Sequence, residues 1–361
     1  MQVNVAIFGA SGYSGVEATR ILAGHPAFEL KLATSDRWDG ELLEARLGPI
    51  GPAGALRYAA HPETGAEAAL AARGCVAALL CTPAETSLAL APALVEAGIK
   101  VVDLSGAFRL RDPKVFAAAY RFEQTALGLL DETVYGMPEL GASTRSAIAR
   151  ARMIANPGCY PTAATLALAP LFEAGLLAPE PIIVDAASGT TGAGRKSTED
   201  MSFTEVADDF RAYRVLRHQH TPEIAQTLAV AARRDVPLTF TPHLLPVRRG
   251  ILATAYARLA QGRDARELKQ ALLHKYAGEP FVQVVNSPDQ VSLRAVVGTN
   301  RVQVSVECGG AAPGPGNDPE RVVAVSSIDN LLKGAAGQAI QNLNLMCGQP
   351  ETAGLLTLRP T

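Results

Sequence analysis

The sequence predicts two domains, a parallel α/β domain followed by an α+β domain. Its 361 residues exceed what one hydrophobic core usually serves. The first third alternates short apolar runs with helical patterns, beginning with Val3 to Phe8, which is typical of a parallel sheet covered by helices. After Asn156 an apolar helix leads into successive strand-like runs. We expect domains at residues 1–158 and 159–328, and a C-terminal helix within residues 329–361 that returns to the first domain.

The composition narrows the class of protein and its partners. Apolar residues make up 48% and charged residues 19%, as in compact globular proteins, and the formal charge of -2 gives no global attraction to nucleic acid or to an anionic membrane. The five cysteines show no CxxC spacing, the amino terminus has no signal-peptide pattern, and prolines interrupt the apolar stretch Cys159 to Phe172. We therefore expect a reduced cytoplasmic protein without nucleic-acid or membrane partners.

The first predicted strand runs into a glycine turn, Gly9-Ala10-Ser11-Gly12-Tyr13-Ser14-Gly15, and then into the helical run Val16 to Ala23. The three glycines permit a tight turn and bring bare N–H groups at a helix start against a pyrophosphate. The spacing is GxxGxxG rather than the usual GxGxxG, so the position directly after the first strand carries the argument. This segment predicts a Rossmann-type site for a nicotinamide dinucleotide.

The second predicted strand ends in Thr34-Ser35-Asp36-Arg37, where the adenosine ribose of a dinucleotide is expected. An acidic residue at this place favours NAD, whereas an arginine with a hydroxyl favours NADP. Because Asp36 and Arg37 are adjacent, their chemistry leaves the choice open. The region from Gly48 to Gly65 is rich in proline and glycine and is predicted to be a loop without a chemical role.

The strongest local pattern is Ala155-Asn156-Pro157-Gly158-Cys159-Tyr160-Pro161-Thr162, placed before an apolar helix. A cysteine there lies at the positive end of the helix dipole, which stabilises its thiolate. A buried structural cysteine needs neither Pro157-Gly158 before it nor Pro161 in the first helical turn. Cys159 is therefore the predicted nucleophile, and the other cysteines are predicted to be structural.

A thiolate used in acyl transfer needs a proton partner, and His220 is the predicted general acid/base. In His218-Gln219-His220-Thr221-Pro222-Glu223, Thr221 is a plausible N-cap and Pro222 a first helical residue, so His220 abuts a helix start. That position disfavours an imidazolium and keeps the ring ready to accept a proton. His218 is the alternative, and without a third ligand nearby no metal site is predicted. His25, His61 and His274 are predicted to lie at the surface, and His243 is predicted to be structural.

Two further loops are predicted to hold anions of a substrate, because arginine forks suit phosphate and carboxylate. The loop Asp103 to Arg109 follows a strand and offers Ser105 and Arg109. The glycine-rich loop Ser188 to Lys196 also follows a strand and ends in Arg195 and Lys196.

With these segments in view, the chain resembles the N-acetyl-gamma-glutamyl-phosphate reductases, arginine-biosynthetic relatives of aspartate-semialdehyde dehydrogenase, over essentially its whole length. The resemblance rests on the glycine turn, the Cys159 and His218 segments, and three further segments: Ser188 to Lys196, Thr241-Pro242-His243-Leu244 with Arg249-Gly250-Ile251, and Asp329-Asn330-Leu331-Leu332-Lys333-Gly334. It implies a semialdehyde dehydrogenase-like fold with a substrate and dimerisation domain, NADPH as hydride donor, and a homo-oligomer, either a dimer or a tetramer.

The resemblance also implies roles for single residues. Cys159 is the implied catalytic thiol, Asn330 approaches the nicotinamide, and Arg109 resembles the arginine that related dehydrogenases use on the substrate. NADPH as the usual donor favours Ser35 and Arg37 as phosphate contacts, although Gln219 stands where many members have Arg. The expected dinucleotide contacts are Gly9, Ser11, Gly12, Tyr13, Ser14, Gly15, Ser35, Arg37, Pro83, Ser188, Gly189 and Asn330.

The implied reaction begins when the Cys159 thiolate attacks a small acyl phosphate, which gives a thioester and free phosphate. Hydride reduction of the thioester, with proton transfer by His220, then yields N-acetylglutamate semialdehyde. One alternative is a reductase of an aminoadipyl phosphate in lysine biosynthesis, a family that tends to lack the Asn-Pro-Gly lead and the Tyr-Pro pair present here. A second alternative is a dinucleotide-binding sensor without chemistry, and it is disfavoured by the joint presence of Cys159, His220, Arg109 and Arg195.

Overall fold

The computed structural model of the protein describes residues 2–62, 64–195, 199, 203–309 and 318–356. The strands in chain order are β1 Val3–Phe8, β2 Phe28–Ala33, β3 Ala77–Leu80, β4 Lys100–Asp103, β5 Val134–Tyr135, β6 Met153–Ala155, β7 Ile182–Gly189, β8 Arg211–Ala212, β9 Leu238–Leu245, β10 Ile251–Arg258, β11 Val282–Val284, β12 Val302–Cys308 and β13 Arg321–Ile328. The α-helices are α1 Tyr13–Ala23, α2 Leu43–Leu47, α3 Ala66–Ala71, α4 Ala84–Glu96, α5 Pro113–Tyr120, α6 Leu127–Glu132, α7 Ala142–Arg150, α8 Cys159–Glu173, α9 Phe203–Val206, α10 Thr221–Ala232, α11 Ala265–Lys275, α12 Leu293–Val296 and α13 Gly337–Met346.

The chain divides into two compact units. The first unit consists of residues 1–158 and 335–361, and the second consists of residues 159–334. Residues 329–334 therefore belong with the second unit, whereas the boundary drawn from the sequence grouped them with the C-terminal segment. Among the described residues, none of the helices combines the length and apolar character that crossing a membrane requires.

The sheet of the first unit is parallel throughout, with strand order β2-β1-β3-β4-β6-β5. The central strands β3 and β4 are almost entirely buried because helices cover both faces, as their continuous apolar sequence predicted. From β1 the chain turns to β2 on one side and then to β3 on the other. The carboxyl ends of β1 and β3 thus form the switch point at which open α/β sheets bind ligands.

Two segments of the first unit differ from the expectation. The predicted loop from Gly48 to Gly65 contains a short 3-10 helix, Gly51–Ala55, and pairs Ala59 with Thr34 in a parallel bridge at the end of β2. His25, expected at the surface, is 4% exposed, and its Nδ1 accepts the N–H groups of Ala27 and Phe28. In both segments a backbone N–H group finds its hydrogen-bond partner through a contact that the sequence pattern does not show, the Thr34–Ala59 bridge in one and the His25 ring in the other.

The second unit is built on a mixed sheet with strand order β11-β12-β13-β10-β7-β9-β8. Helix α8 packs against β10, β12 and β13, and its residues from Tyr160 to Phe172 are all buried. This explains the apolar composition of the helix around its whole circumference. The predicted C-terminal helix is divided, with a π-helical turn at Leu332–Ala336 followed by α13, which packs on α1, α7 and β4 within the first unit.

Candidate functional site

The glycine turn of the first unit lies at the switch point of the parallel sheet. Gly9 has a φ of +80°, and a Cβ atom there would lie 2.5 Å from the carbonyl oxygen of Cys81. A Cβ atom on Gly15 would lie 2.3 Å from the Gly9 carbonyl oxygen. Gly12 precedes α1 and brings no side chain over the start of the helix, which is the arrangement that lets an anion approach a helix N-terminus. The backbone shape therefore fits a pyrophosphate.

The remaining first-unit residues expected to contact a dinucleotide differ in exposure. Ser11, Tyr13 and Ser14 are half-buried around the start of α1, and Pro83 is exposed at the start of α4. These four positions border the carboxyl edge of the sheet.

The end of β2 presents one buried and two exposed polar residues. Ser35 is buried, and its hydroxyl accepts the N–H of Trp38 at 3.2 Å. Asp36 is exposed, yet its Oδ1 accepts the main-chain N–H of His61 at 2.7 Å. Arg37 is exposed and forms no hydrogen bond or ion pair with any described residue. A cation is thus available to a ligand here, whereas one oxygen of the adjacent carboxylate is already engaged.

The loop after β4 is held by its own side chains. The Ser105 hydroxyl donates to Asp103 Oδ2 at 2.8 Å, and burial raises the pKa of the Asp103 carboxyl although the hydrogen bonds from Ser105 oppose that effect. Arg109 is 7% exposed, with Nε donating to the Asn156 carbonyl at 2.8 Å and Nη2 to the Leu104 carbonyl at 2.6 Å. Arg109 therefore braces the backbone three residues before Cys159, and these contacts fit a positioning role better than direct substrate contact.

In the second unit Cys159 is the first residue of α8 and is half-buried, whereas Tyr160 to Phe172, which follow it in the helix, are all buried. The sequence predicts Cys159 directly before the helix, so the observed helix begins one residue earlier than expected. Gly334 lies directly against it, because a Cβ atom built on Gly334 would be 2.8 Å from the Cβ of Cys159. The lack of a side chain at Gly334 therefore leaves the space that Cys159 occupies.

Both candidate histidines lie beside Tyr160, the residue that follows Cys159. The Tyr160 ring meets the His218 and His220 rings edge to face, with centroids 5.3 and 5.9 Å away, and its hydroxyl lies 2.9 Å from that of Tyr213. Burial raises the pKa of Tyr160 and brings that of Tyr213 to about 12, so both phenols are protonated at neutral pH. Tyr160 and Tyr213 were not singled out from the sequence, although Tyr160 stands in the cysteine motif.

The two histidines differ in their hydrogen bonding. His218 Nδ1 accepts the main-chain N–H of His220 at 3.1 Å, which requires that nitrogen to carry no proton. Burial, assisted by Arg214, lowers the pKa of His218 to about 4. His220 itself is the N-cap residue of α10, and the helix begins at Thr221 rather than at Pro222 as expected. The cap moves by one residue because the His220 carbonyl already accepts the N–H of Ile224.

The loop after β7 is tied down by Asn330. The Asn330 Oδ1 accepts the N–H of Gly250 at 2.7 Å, and its Nδ2 donates to Thr191 Oγ1 at 3.0 Å. Ser188 is buried, and a Cβ atom on Gly189 would lie 2.7 Å from the amide nitrogen of Arg249. Both ends of the Asn330 amide are therefore occupied in shaping this loop.

The cationic end of the same loop is described in part. Arg195 is half-buried, and Lys196 lies outside the described residues. The buried Asp329 joins two other segments of the second unit, since its Oδ1 is 3.1 Å from Arg249 Nη2 and its Oδ2 accepts the N–H of Gly298 at 2.8 Å. Sequence reasoning quoted Asp329 and Arg249 as parts of motifs without recognising the ion pair that joins them.

Two domain families match this chain. Residues 4–149 match the NAD binding domain of semialdehyde dehydrogenase, and residues 159–330 match the semialdehyde dehydrogenase dimerisation domain. An N-acetyl-gamma-glutamyl-phosphate reductase of Symbiobacterium thermophilum is 44% identical and is covered over 99% of its length by 100% of this chain. The protein with the same name from Halorhodospira halophila is 43% identical, with 98% of each chain covered.

Solved structures show the same fold at low identity. Aspartate semialdehyde dehydrogenase II from Vibrio cholerae, complexed with ASA, has a TM-score of 0.71 at 19% identity over 96% of this chain and 99% of that chain. Aspartate semialdehyde dehydrogenase with NADP from Candida albicans has a TM-score of 0.67 at 15% identity over 96% and 99% of the two chains. The predicted Rossmann and semialdehyde dehydrogenase-like domains are thereby confirmed.

Proposed function

This chain belongs to the N-acetyl-gamma-glutamyl-phosphate reductase family, and from this premise we propose how its residues carry out the reaction of that family. It is an NADP-dependent enzyme of the phosphorylating semialdehyde dehydrogenase type, and the relatives carry the glutamyl name rather than an aminoadipyl one. The reaction converts N-acetyl-gamma-glutamyl phosphate and NADPH into N-acetylglutamate semialdehyde, phosphate and NADP. The observation that supports this most is the half-buried Cys159 at the start of α8, with both histidine rings grouped around the neighbouring Tyr160.

NADPH fits the residues of the first unit. The turn at Gly9 and Gly15 leaves no room for side chains, so the backbone can approach a pyrophosphate closely. Ser35 and Arg37 lie at the end of β2, where they receive a ribose phosphate, and Arg37 has no partner among the residues that the structure describes. When bound, the dinucleotide supplies the hydride.

Cys159 is the proposed nucleophile. Its position at a helix start favours the thiolate, which attacks the acyl carbon of the substrate. The new carbon–sulfur bond replaces the carbon–oxygen bond to phosphate, which leaves, and the acyl group remains on the enzyme as a thioester. Gly334 keeps the Cβ of Cys159 in place, because any larger residue at 334 would push it away.

His220 is the proposed acid/base group, in preference to His218. The bond from the His220 N–H keeps His218 Nδ1 unprotonated, and a pKa near 4 leaves the His218 ring neutral throughout a cycle at neutral pH. His220 accepts the thiol proton before attack. After hydride reduces the thioester, His220 returns this proton to the oxyanion, which gives the hemithioacetal. It then takes the hydroxyl proton back, so that the carbon–sulfur bond breaks, Cys159 leaves as the thiolate and the semialdehyde is released.

The substrate anions are assigned to the two cationic loops. Arg195 and Lys196 are the proposed phosphate or carboxylate contacts after β7, and Ser105 is the proposed contact after β4. Arg109 acts through the Asn156 carbonyl that it holds. Asn330 shapes the loop of Ser188 and Gly189, which thereby serves as part of the nicotinamide side of the site.

The assembly follows in part from the domain match. The second unit carries a dimerisation domain, so the protein forms a homo-oligomer. A dimer or a tetramer, and a cytoplasmic location, are the finer proposals, and light scattering at several concentrations distinguishes the two assemblies.

The reaction is tested in the direction of phosphorylation. Purified protein with N-acetylglutamate semialdehyde is expected to reduce NADP only when phosphate is added, which absorbance of the reduced ring measures directly. In the forward direction, quenched samples analysed by mass spectrometry are expected to carry the acyl group on Cys159. Absence of phosphate-dependent NADP reduction would contradict the proposed reaction and favour a sensor that binds dinucleotide without chemistry.

A further inference from the structure

The segment that follows the 3-10 helix Gly51–Ala55 closes the ribose end of the dinucleotide site. Ala59 pairs with β2, because its N–H donates to the Ala33 carbonyl at 3.0 Å and its carbonyl accepts the Ser35 N–H at 2.8 Å. Two residues later, the His61 N–H donates to Asp36 Oδ1 at 2.7 Å. The segment from Gly48 to Gly65, for which the sequence predicted no chemical role, therefore runs beside Ser35 and Asp36, where the choice between NAD and NADP is expected.

The ring of His61 connects this segment with the glycine turn. His61 Nδ1 lies 3.2 Å from Thr34 Oγ1, and the same hydroxyl oxygen accepts the N–H of Gly9 at 3.2 Å. The ring also meets Phe8 edge to face at 5.7 Å. These contacts fix the main chain at residue 61 relative to the turn, and the amide that faces Asp36 is fixed with it.

The negative charge of Asp36 is unfavourable beside the phosphorylated ribose of NADP. A carboxylate free at the end of the second strand accepts the ribose hydroxyls of NAD and repels the additional phosphate of NADP. Here one carboxylate oxygen is already a hydrogen-bond acceptor for the backbone, whereas the neighbouring Arg37 has no partner among the described residues. Asp36 therefore anchors the backbone at His61, whereas Arg37 is left to bind a ligand.

We propose that His61 determines cofactor specificity, because its main-chain N–H holds the Asp36 carboxylate away from the ribose and leaves Arg37 to receive the phosphate of a phosphorylated dinucleotide. This inference rests on the proposed function for the identity of the ligand. It adds a specificity determinant contributed by the backbone of a loop, and it resolves the conflict between Asp36 and Arg37 that the sequence leaves open.

The protein contains its own reporter for this site. Its single tryptophan, Trp38, follows Arg37, so quenching of its fluorescence by NADPH or NADH gives a dissociation constant (Kd) without turnover. Four full-length variants are compared with the unaltered chain. Asp36→Asn keeps an acceptor oxygen without the charge, and His61→Pro removes the N–H donor. His61→Ala keeps the donor without the ring, and the double variant combines His61→Pro with Asp36→Asn.

The held carboxylate predicts a distinct pattern of Kd values. Asp36→Asn is expected to change both Kd values by less than about threefold, since the carboxylate is already engaged. His61→Ala retains the amide but loses the ring that fixes it, so it is expected to weaken NADPH binding less than His61→Pro does. His61→Pro is expected to weaken NADPH by about tenfold relative to NADH, because the freed charge faces the ribose phosphate. The double variant is expected to recover NADPH binding to within about threefold of the unaltered chain, which general damage to the fold would not allow.

The opposite results overturn the inference. If Asp36→Asn alone tightens NADPH or weakens NADH by about threefold or more, Asp36 reads the ribose directly. Failure of the double variant to recover has the same meaning, and Asp36→Asn decides the question even if proline at residue 61 prevents folding. Failure of the unaltered chain to bind either dinucleotide would instead count against the proposed function.

Discussion

The glycine turn of the first unit and the Cys159 site of the second unit are built in different ways. The turn is contiguous, since Gly9 and Gly15 shape it through contacts with their own neighbours and with the end of β3. The Cys159 site gathers residues from distant segments, because Tyr160 meets Tyr213, His218 and His220, and Gly334 closes on Cys159 from near the other end of the chain. A ligand site made of backbone follows from local sterics, whereas a site made of reactive side chains depends on tertiary packing.

The largest expected effect is a loss of kcat at the Cys159 site without a loss of NADPH binding. Cys159→Ser is expected to lower kcat by about ten-thousandfold or more, because a serine hydroxyl at the same place does not ionise at neutral pH. NADPH binding to the first unit is expected to be unchanged. Steady-state kinetics and Trp38 fluorescence measure the two effects.

The matched control for this variant is Cys308→Ser. The Cys308 sulfur contacts the Pro319 carbonyl at the end of β12, and burial raises its pKa. Full activity of Cys308→Ser beside an inactive Cys159→Ser is the expected pair. A Cys159→Ser enzyme with full reductive activity would contradict the assigned nucleophile.

A smaller loss is expected when the proton carrier is removed. His220→Gln is expected to lower kcat by roughly a thousandfold, in the range typical of a lost general acid/base, and to flatten the acidic limb of the pH–rate profile. Gln219→Ala, which removes a hydrogen bond between Gln219 and Arg214, provides the control next to it. An equal loss in both variants would mean that His220 acts only by shaping the loop.

In the glycine turn, a side chain added at Gly15 is expected to lower stability and NADPH binding through a steric clash with the backbone. Gly15→Ala places a Cβ atom 2.3 Å from the Gly9 carbonyl oxygen, so the turn must shift. We expect the free energy of unfolding to fall by about 2 to 4 kcal/mol and NADPH binding to weaken with it. Gly24→Ala is the control, since a Cβ atom there meets nothing within 4 Å. Chemical denaturation of both variants tests whether the close approach is essential.

Gly334 allows the same steric test in the second unit. Gly334→Ala forces Cys159 aside, and a misplaced nucleophile is expected to lower kcat by roughly a hundredfold while KM changes little. Alkylation of Cys159 by iodoacetamide is expected to change in rate as well, which a purely structural defect elsewhere would not produce. Unchanged kcat and unchanged alkylation would show that α8 absorbs the extra carbon without moving its first residue.

The smallest effect concerns pH and His218. The native ring stays neutral down to its pKa of about 4, whereas in the unfolded chain it binds a proton near the usual pKa of 6.5. Between those values the unfolded state holds more protons, so stability falls as pH decreases. Over the range from about pH 6.5 to pH 5 the loss is about 2 kcal/mol. His218→Asn, whose Oδ1 replaces the accepting nitrogen, is expected to remove this part of the pH dependence in urea unfolding.

Much of the fold could be predicted from the sequence, but the details of the sites could not. The parallel sheet, the glycine turn and, to within one residue, the start of α8 follow from apolar runs and from the conformational needs of Gly and Pro. The surface prediction was wrong for His25, which is buried, and it missed the contacts of the half-buried His61, because isolated histidines carry no periodic pattern. The N-cap of α10 was displaced by one residue, since a carbonyl hydrogen bond rather than residue preference determined where the helix begins.

The amino-acid sequence by itself determined the parallel α/β architecture, the backbone shape of the phosphate turn and the helix start at Cys159, because each depends on steric rules among neighbouring residues. Only the tertiary structure decided that His218 Nδ1 accepts the main-chain N–H of His220, that Gly334 lies against Cys159 and that His61 engages Asp36. These three contacts join residues through directional hydrogen bonds or close packing. Such contacts depend on how distant parts of the backbone are placed in space, and the spacing of residues along the chain does not encode that placement.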